Sequence, residues 1–275
     1  PTAGPRLAVS NQPLPTIEIP ASDNDYYAIV NAHLFPVDRE PIDNGMILVK
    51  EGRITRVEAG VDAPSGATIV DAHGLRIYPG FIDAGTKVGL TEVSSARETN
   101  DFEDAGRFQP DLRAATAIHP DSELIPVTRA GGITTVVTMP TAGILSGQSA
   151  LVNLAGWVPR EMVVADPLAL HLRLPTTPRF AEKDPKPFTG RGRLASERDQ
   201  RLSELRSLFQ LARHYHETKA EAEKRRVPAP IVDSRLDALG PYLRREKPVV
   251  CHAETSKDIK AAIAFAEELN VRLIL

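Results

Sequence analysis

The stretch that decides the fold is Arg76-Ile77-Tyr78-Pro79-Gly80-Phe81-Ile82-Asp83, an apolar run that closes on an acidic residue. It predicts a strand that ends in a polar loop. Downstream of it, short apolar runs alternate with helical patterns, the order expected when parallel strands are covered by helices. Upstream of it, the chain holds only short β-rich runs and turns. The sequence therefore predicts an α/β domain over residues 77–275 and a separate β module before it.

The β module is predicted over residues 26–76. Glu51-Gly52 separates two β-rich runs and is typical of a hairpin turn. A small sheet of this kind has to bury one face against another layer. Residues 1–25 contain five prolines and no hydrophobic period, so an extended arm is predicted there.

The α/β domain shows clear helix and strand signals. Residues 124–130 predict a helix, and Gly131-Gly132 ends it before a strand over residues 134–139. A further strand is predicted over residues 168–172, and a long helix over residues 196–224 carries an apolar face at helical spacing. The long acidic segment over residues 91–121 suggests a lid or an interface element.

The last unit predicts a parallel strand–helix–strand arrangement. Pro248–Glu254 is a strand that runs into a polar tip, and Thr255 or Ser256 can cap the following helix. Asn270 ends that helix, and Val271–Leu275 begins another strand. Because the sequence stops inside this strand, we expect a barrel whose C-terminal strands are missing.

Composition limits the function classes. With 275 residues, 42% of them apolar, the chain can bury one large core or one large and one small core. Its net charge of −3 gives no electrostatic case for binding nucleic acid. No apolar run reaches the ~20 residues that span a bilayer. The proline-rich opening favours an exported or periplasmic protein after signal removal, and a cytoplasmic location stays open.

The order of a β module followed by Tyr78–Ala84 resembles the amidohydrolase superfamily, and within it the imidazolonepropionase-like group. Members place Pro-Gly-hydrophobic-Ile-Asp-Ala on the first barrel strand. Gly131–Val136 is similar to their second strand and Val249–Glu254 to their fifth. The resemblance covers Tyr26 to Leu275. It implies a TIM-like (β/α) barrel, incomplete over residues 77–275, with a small N-terminal β-sandwich module.

The resemblance also implies metal-assisted hydrolysis of C–N bonds in amides or cyclic amides. In that family, imidazoles and carboxylates at the strand C-termini hold the ion. The two histidines that should follow the first strand are Gly85 and Lys87 here. Glycine offers no ligand, and an ammonium group repels a divalent cation. Only His252 stands in register as a metal ligand, so the prediction is a degenerate site with no zinc or weakly bound zinc.

Lys87 and Glu254 are the candidates for lining the site. We expect the Lys87 ammonium to replace the charge of the metal and to pair with Glu254, with His252 nearby; the alternative is that Lys87 extends into water. His171, inside an apolar strand, is interpreted as structural. Cys251 is interpreted as a small core residue, because neighbouring strand residues face opposite ways. A second histidine pair, His214 and His216 on the long helix, is expected at the surface.

Two hypotheses remain open at this point. The first is a hydrolase with a reduced metal site that acts on a small-molecule substrate. The second is a catalytically silent barrel that binds a small molecule or serves as an assembly subunit, since a fold does not imply a function. In either case an oligomer or a partner chain is expected to complete the barrel.

Overall fold

The chain separates into two compact units. The computed structural model describes residues 17–60, 62–93, 95–175 and 190–275. One unit covers residues 1–79 and the other residues 80–275. Most of the arm predicted over residues 1–25 lies outside the described residues. No helix in the described ranges is both long and apolar enough to cross a bilayer.

The first unit is built on one five-stranded sheet. Its strands are β1 (Tyr26–Leu34), β2 (Ile42–Lys50), β3 (Arg53–Ala59), β4 (Thr68–Asp71) and β5 (Arg76–Ile77). The order is β3-β2-β1-β4, and β5 also pairs with β1. β1, β2 and β3 are antiparallel, whereas β4 and β5 run parallel to β1. Glu51 and Gly52 both have positive φ (51° and 72°), which suits the tight turn between β2 and β3 and confirms the predicted hairpin.

Both faces of this sheet bury apolar side chains. Ala32, Leu34 and Ile47 pack together in one cluster, while Met46 and Leu48 belong to another. Ile47 lies between Met46 and Leu48 in β2, so the two clusters lie on opposite faces of the strand. If one face of the sheet were exposed to solvent, only one of the two clusters would be buried.

The predicted strand over residues 76–83 is interrupted. β5 ends at Ile77 within the first unit, and β6 (Phe81–Thr86) begins in the second. The surroundings of Tyr78, Pro79 and Gly80 account for the break. Tyr78 stacks on Phe35 of β1 with ring centroids 4.7 Å apart, and Pro79 has no N–H to donate to a ladder. Gly80 lies so close to Thr134 that a Cβ atom would be 2.1 Å from its hydroxyl oxygen.

The second unit mixes helices with two four-stranded sheets. Its elements after β6 are α1 (Leu124–Ala130), β7 (Ile133–Thr138), β8 (Leu145–Gln148), β9 (Ala150–Asn153), α2 (Pro159–Met162), β10 (Val163–Ala165), β11 (Leu170–Leu172), α3 (Gly190–Arg225), α4 (Ser234–Ala238), α5 (Gly240–Leu243), β12 (Val249–Cys251), α6 (Ser256–Leu269) and β13 (Leu273–Ile274). One sheet has the order β10-β9-β7-β6 and the other β13-β12-β11-β8.

A single reversed strand links the two sheets. β6 and β7 are parallel, as are β11, β12 and β13. β9 is antiparallel to β7, and β8 is antiparallel to β11. Only Ser149 separates β8 from β9, and its N–H donates to Ala169 O at 2.9 Å while its carbonyl accepts from Leu168 N at 2.7 Å. The parallel pairing of β12 with β13 around α6 confirms the predicted strand–helix–strand unit.

The segment over residues 91–121, predicted as a lid or interface element, is partly built into the second sheet. Phe108 forms a parallel bridge with Leu145, and Arg113 forms one with Gln148. The Gln148 side-chain amide donates to Pro110 O at 2.7 Å. Residues 108–113 therefore pair with β8. Because this segment is hydrogen-bonded along the strand, it could open as a lid only by breaking those hydrogen bonds.

The core of the second unit lies between α3, α6 and the sheet of β11 and β12. The predicted apolar face of α3 is confirmed, with Leu205, Phe209 and Ala212 fully buried. Phe209 meets Phe265 of α6 edge to face, with ring centroids 6.3 Å apart. The helix begins at Gly190, six residues before the predicted start. This packing fixes the position of β12 and of the residues that follow it.

Candidate functional site

Two histidines meet at the carboxyl ends of neighbouring strands. His171 on β11 is paired with Val250 on β12, and His252 lies two residues beyond Val250. Paired residues on adjacent strands share a face, and so do residues two apart, so both imidazoles lie on the same side of the sheet. The backbone N–H of His252 donates to Leu172 O at 2.9 Å. His171 Nδ1 lies 3.1 Å from His252 Nε2.

Burial keeps both imidazoles neutral. His171 is only 2% exposed, and burial together with the neighbouring His252 lowers its pKa to about 4. Burial and the positive charge of Arg173 also lower the pKa of the half-buried His252. Two neutral rings at this spacing share one proton-bearing nitrogen, so the contact is a single N–H···N hydrogen bond.

The surroundings of His171 identify the donor. Its Nε2 atom is buried and has no hydrogen-bond partner among the described residues. Orphaned buried N–H groups are rarer than orphaned acceptors, so the proton of His171 belongs on Nδ1. His171 therefore donates to Nε2 of His252, which carries its own proton on Nδ1. The buried ring thus fixes both the orientation and the tautomer of the more exposed one.

The His252 ring lines a cavity of about 1000 Å³. Arg173 and Leu174 contribute from the end of β11, Glu254 follows His252, and Ile144 comes from the loop before β8. The remaining lining includes the first turn of α6 and charged residues of α3. The cavity lies at the carboxyl ends of β11 and β12, the end at which barrel enzymes bind their substrates.

Charges along this cavity differ in how they are neutralised. On α3, Arg198 pairs with Asp199 at 2.7 Å, and Arg206 pairs with Glu268 at 2.7 Å. Arg173, also exposed, makes no ion pair with a described residue, and neither does Glu254. Beside His252, neighbouring charges therefore leave the guanidinium group of Arg173 and the carboxylate of Glu254 available to a bound molecule.

Lys87 does not take its predicted place. Its ammonium group lies 3.5 Å from the centroid of the Phe102 ring, and within the described ranges it forms no ion pair with Glu254 or any other acid. Lys87 follows β6, which belongs to the other sheet, and a turn in which Leu90 N donates to Lys87 O at 2.8 Å follows it. The half-buried cation is stabilised by the aromatic face, so the expected Lys87–Glu254 pair is wrong, as is full extension into water.

The two imidazoles have the spacing of metal ligands but lack a third partner in the ranges that the structure describes. Two ligand nitrogens on one tetrahedral ion lie about 3.3 Å apart, given Zn–N bonds of about 2.0–2.1 Å, and the nitrogens of His171 and His252 are 3.1 Å apart. A protein zinc site needs at least three protein ligands. Among the described residues no group of three His, Cys, Asp or Glu side chains could hold a metal ion. These residues alone do not fit a metal centre, and the role of His252 as a ligand stays a prediction.

The single cysteine and the remaining candidate histidines differ in how well their predicted positions agree with the structure. Cys251 is buried in the core facing away from His252, as the strand alternation predicted. His214 is exposed, but His216 is half-buried and its Nε2 lies 3.0 Å from Leu236 O. The interpretation of His171 as merely structural missed its contact with His252. The sequence did contain an indication of this contact, because His171 and His252 both fall at the ends of predicted strands.

Comparisons with known proteins point in one direction. No protein-family model matches the chain. The amidohydrolase tasK of Hapsidospora irregularis is 28% identical over 116 residues, which are 40% of this chain and 12% of that protein. The crystal structure of an amidohydrolase from Thermotoga maritima MSB8 aligns with a TM-score of 0.76 and 26% identity, covering 90% of this chain and 63% of that one. The chain thus spans less than two thirds of the length of both proteins. A second amidohydrolase structure, 19% identical over 90% of this chain and 60% of its own, has a TM-score of only 0.39.

Proposed function

We propose that this chain forms part of an amidohydrolase-type hydrolase that cleaves the C–N bond of an amide or cyclic amide. The observation that carries the proposal is the His171–His252 pair at the strand carboxyl ends, beside a cavity of about 1000 Å³. The sequence and structural likeness to amidohydrolases supports the reaction class. Glu254 contributes a proton-accepting carboxylate to the cavity, and His252 contributes a neutral imidazole with its proton on Nδ1.

The proposed roles follow from the geometry. His252 is neutral near pH 7, because burial and Arg173 lower its pKa. Since its Nε2 accepts from His171, its Nδ1–H is the group that can donate a hydrogen bond to the oxygen of a scissile carbonyl. His171 does not touch the cavity and acts as a positioning residue that holds the His252 ring. Glu254, exposed at the strand tip, is the candidate acceptor for the proton of an attacking water.

The two sheets of the second unit are proposed to be arcs of one (β/α) barrel. The shared β8–β9 strand and the parallel direction of the remaining strands support this. β6 and β13 are edge strands, and Phe81 and Ile82 on β6 are 64% and 67% exposed. Strands from further polypeptide or from a partner chain would pair with these edges and cover the apolar surface. The two buried faces of the first sheet likewise support one layer of a β-sandwich.

The metal site is proposed to be degenerate, with no zinc or weakly bound zinc. Gly85 and Lys87 replace two imidazoles, and within the described part of the chain only His171 and His252 bring nitrogen ligands together. Losing ligands lowers metal affinity steeply.

A hydrolysis assay on the purified chain tests the reaction. N-acyl amino acids and cyclic amides would be incubated with and without added Zn²⁺, and the released amine or ring-opened acid measured by mass spectrometry. We expect turnover that His252→Gln lowers at least ~100-fold, in the range of losing one hydrogen-bond donor to the developing oxyanion. Arg272→Gln, an exposed position outside the cavity, is the control and should retain full activity.

A silent, small-molecule-binding barrel is the second candidate, and Gly85-Thr86-Lys87 is the observation that favours it. It predicts saturable ligand binding without any turnover, at every metal concentration tested. Turnover that is independent of His252 would contradict the proposed site while leaving the reaction class intact.

A further inference from the structure

The cavity at the ends of β11 and β12 has an available guanidinium group, and we propose that Arg173 recognises a carboxylate on the substrate. The substrate class would be an N-acyl amino acid or a peptide with a free carboxylate close to the scissile C–N bond. This inference rests on the proposed function, because it takes the cavity as the substrate site.

Backbone hydrogen bonds hold Arg173 beside the histidine pair. Arg173 immediately follows β11, and its N–H donates to Ile144 O at 2.7 Å. The preceding carbonyl, that of Leu172, accepts from the N–H of His252 at 2.9 Å. Arg173 and His252 are therefore anchored to the same stretch of strand, and both side chains line the cavity.

The charge pattern distinguishes Arg173 from the other three arginines that line the cavity. The guanidinium groups of Arg198, Arg201 and Arg206 are each paired with an acid, at 2.7, 3.8 and 2.7 Å. These three are partly neutralised and lie on α3. Arg173 forms no ion pair with any residue that the structure describes. The planar fork of the guanidinium group can donate two parallel hydrogen bonds to the two oxygens of a carboxylate. A bound carboxylate would therefore supply the ion-pair partner that Arg173 lacks among the described residues.

The position of the charge links recognition to the reaction. The positive charge of Arg173 contributes to the lowered pKa of His252, so the two groups lie within electrostatic reach of each other. A carboxylate held by Arg173 would bring an adjacent amide bond next to His252 and Glu254. Glu254 would repel the same carboxylate, which directs it toward the guanidinium side of the cavity.

Calorimetric titration with a matched pair of probes tests this recognition. N-acetylglycine carries the carboxylate, and N-acetylglycinamide is its neutral counterpart; both are titrated at constant ionic strength. We expect the wild-type chain to bind the acid at least ~10-fold more tightly than the amide, as a charge-assisted bidentate contact implies. Arg173→Gln should abolish the preference, and Arg173→Lys should retain part of it because the charge remains without the fork.

Two further variants sharpen the test. Arg272→Gln makes the same change in net charge at an exposed position outside the cavity and should leave the preference unchanged. Glu254→Gln should strengthen binding of the acid and leave that of the amide unaffected. Equal binding of the two probes, binding of neither, or a preference that survives Arg173→Gln would each overturn the inference.

Failure of this inference is distinguishable from failure of the proposed function. Hydrolysis of N-acyl amino acids that Arg173→Gln leaves unchanged would refute carboxylate recognition and support the hydrolase. Carboxylate-selective binding that depends on Arg173, with no turnover of any amide, would support the recognition and refute the hydrolase. Circular dichroism of each variant separates both results from a loss of fold.

Discussion

Nδ1 of His171 lies 3.1 Å from Nε2 of His252, and the two rings face each other with centroids 5.4 Å apart. One ring is buried and the other opens onto the cavity. The protonation state of His171 therefore affects His252, because a proton added to the buried ring would place a positive charge beside the outer ring. Stability and site geometry are therefore coupled through His171.

Acid should destabilise the fold through His171. Its folded pKa of about 4 lies below its ordinary value of 6.5, so the unfolded chain binds a proton first as the pH falls. The stabilisation is complete above pH 6.5 and is lost between pH 6.5 and pH 4. The loss amounts to about 3 kcal/mol by pH 4. Urea unfolding at pH 7 and pH 4 measures it.

The contribution of His171 is isolated by comparison with a variant. His171→Phe removes the titrating group, so its unfolding free energy should fall by about 3 kcal/mol less than that of the wild type between pH 7 and pH 4. Gln210→Ala, at an exposed position on α3, removes no titrating group and should keep the wild-type pH dependence. An identical acid response in His171→Phe and wild type would show that other groups dominate.

The Gly80–Thr134 contact predicts a steric requirement. In Gly80→Ala the new Cβ would lie 2.1–2.7 Å from three atoms of the Thr134 side chain. Overpacking of this kind costs about 1–3 kcal/mol, measurable as a lower unfolding free energy. Thr134→Gly should restore part of it in the double variant. Gly85→Ala is the matched control, since its nearest neighbour is the movable Met139 methyl at 3.2 Å; equal effects at both glycines would contradict the contact.

Local patterns predicted the secondary structure well and the tertiary contacts poorly. The helix over residues 124–130 and the Thr255 cap of α6 follow from nearby residues alone, and the structure has both. The break at Tyr78–Gly80 depends on Phe35 and Thr134, which lie far away in sequence. The contact of Lys87 with the Phe102 ring is likewise not visible in the local sequence, which predicts an ion pair with Glu254 instead. Periodicity does not encode these contacts, because they arise only once the strands are paired.

The lone thiol should be unreactive in the native chain. Cys251 is buried on the core side of β12, and burial raises the pKa of its thiol. The reactive species is the thiolate, so both access and ionisation are suppressed. We expect no reaction with an aromatic disulfide reagent at pH 8 over minutes, and stoichiometric reaction after unfolding in guanidinium. Rapid modification of the native chain would show that β12 opens locally.

Metal affinity should depend on the two positions after β6. The wild-type chain should retain well under one equivalent of zinc after dialysis, as measured by elemental analysis, because two imidazoles do not make a zinc site. Gly85→His together with Lys87→His adds two imidazoles and removes the ammonium. The movable Met139 side chain leaves room for the first of these changes. We expect the double variant to bind zinc at least ~10-fold more tightly than the wild type.

Adding His252→Gln to the double variant should reverse that gain in zinc affinity if all three positions face one ion. Stoichiometric zinc in the wild type would refute the degenerate site, and a gain that persists in the triple variant would place the new ligands away from His252.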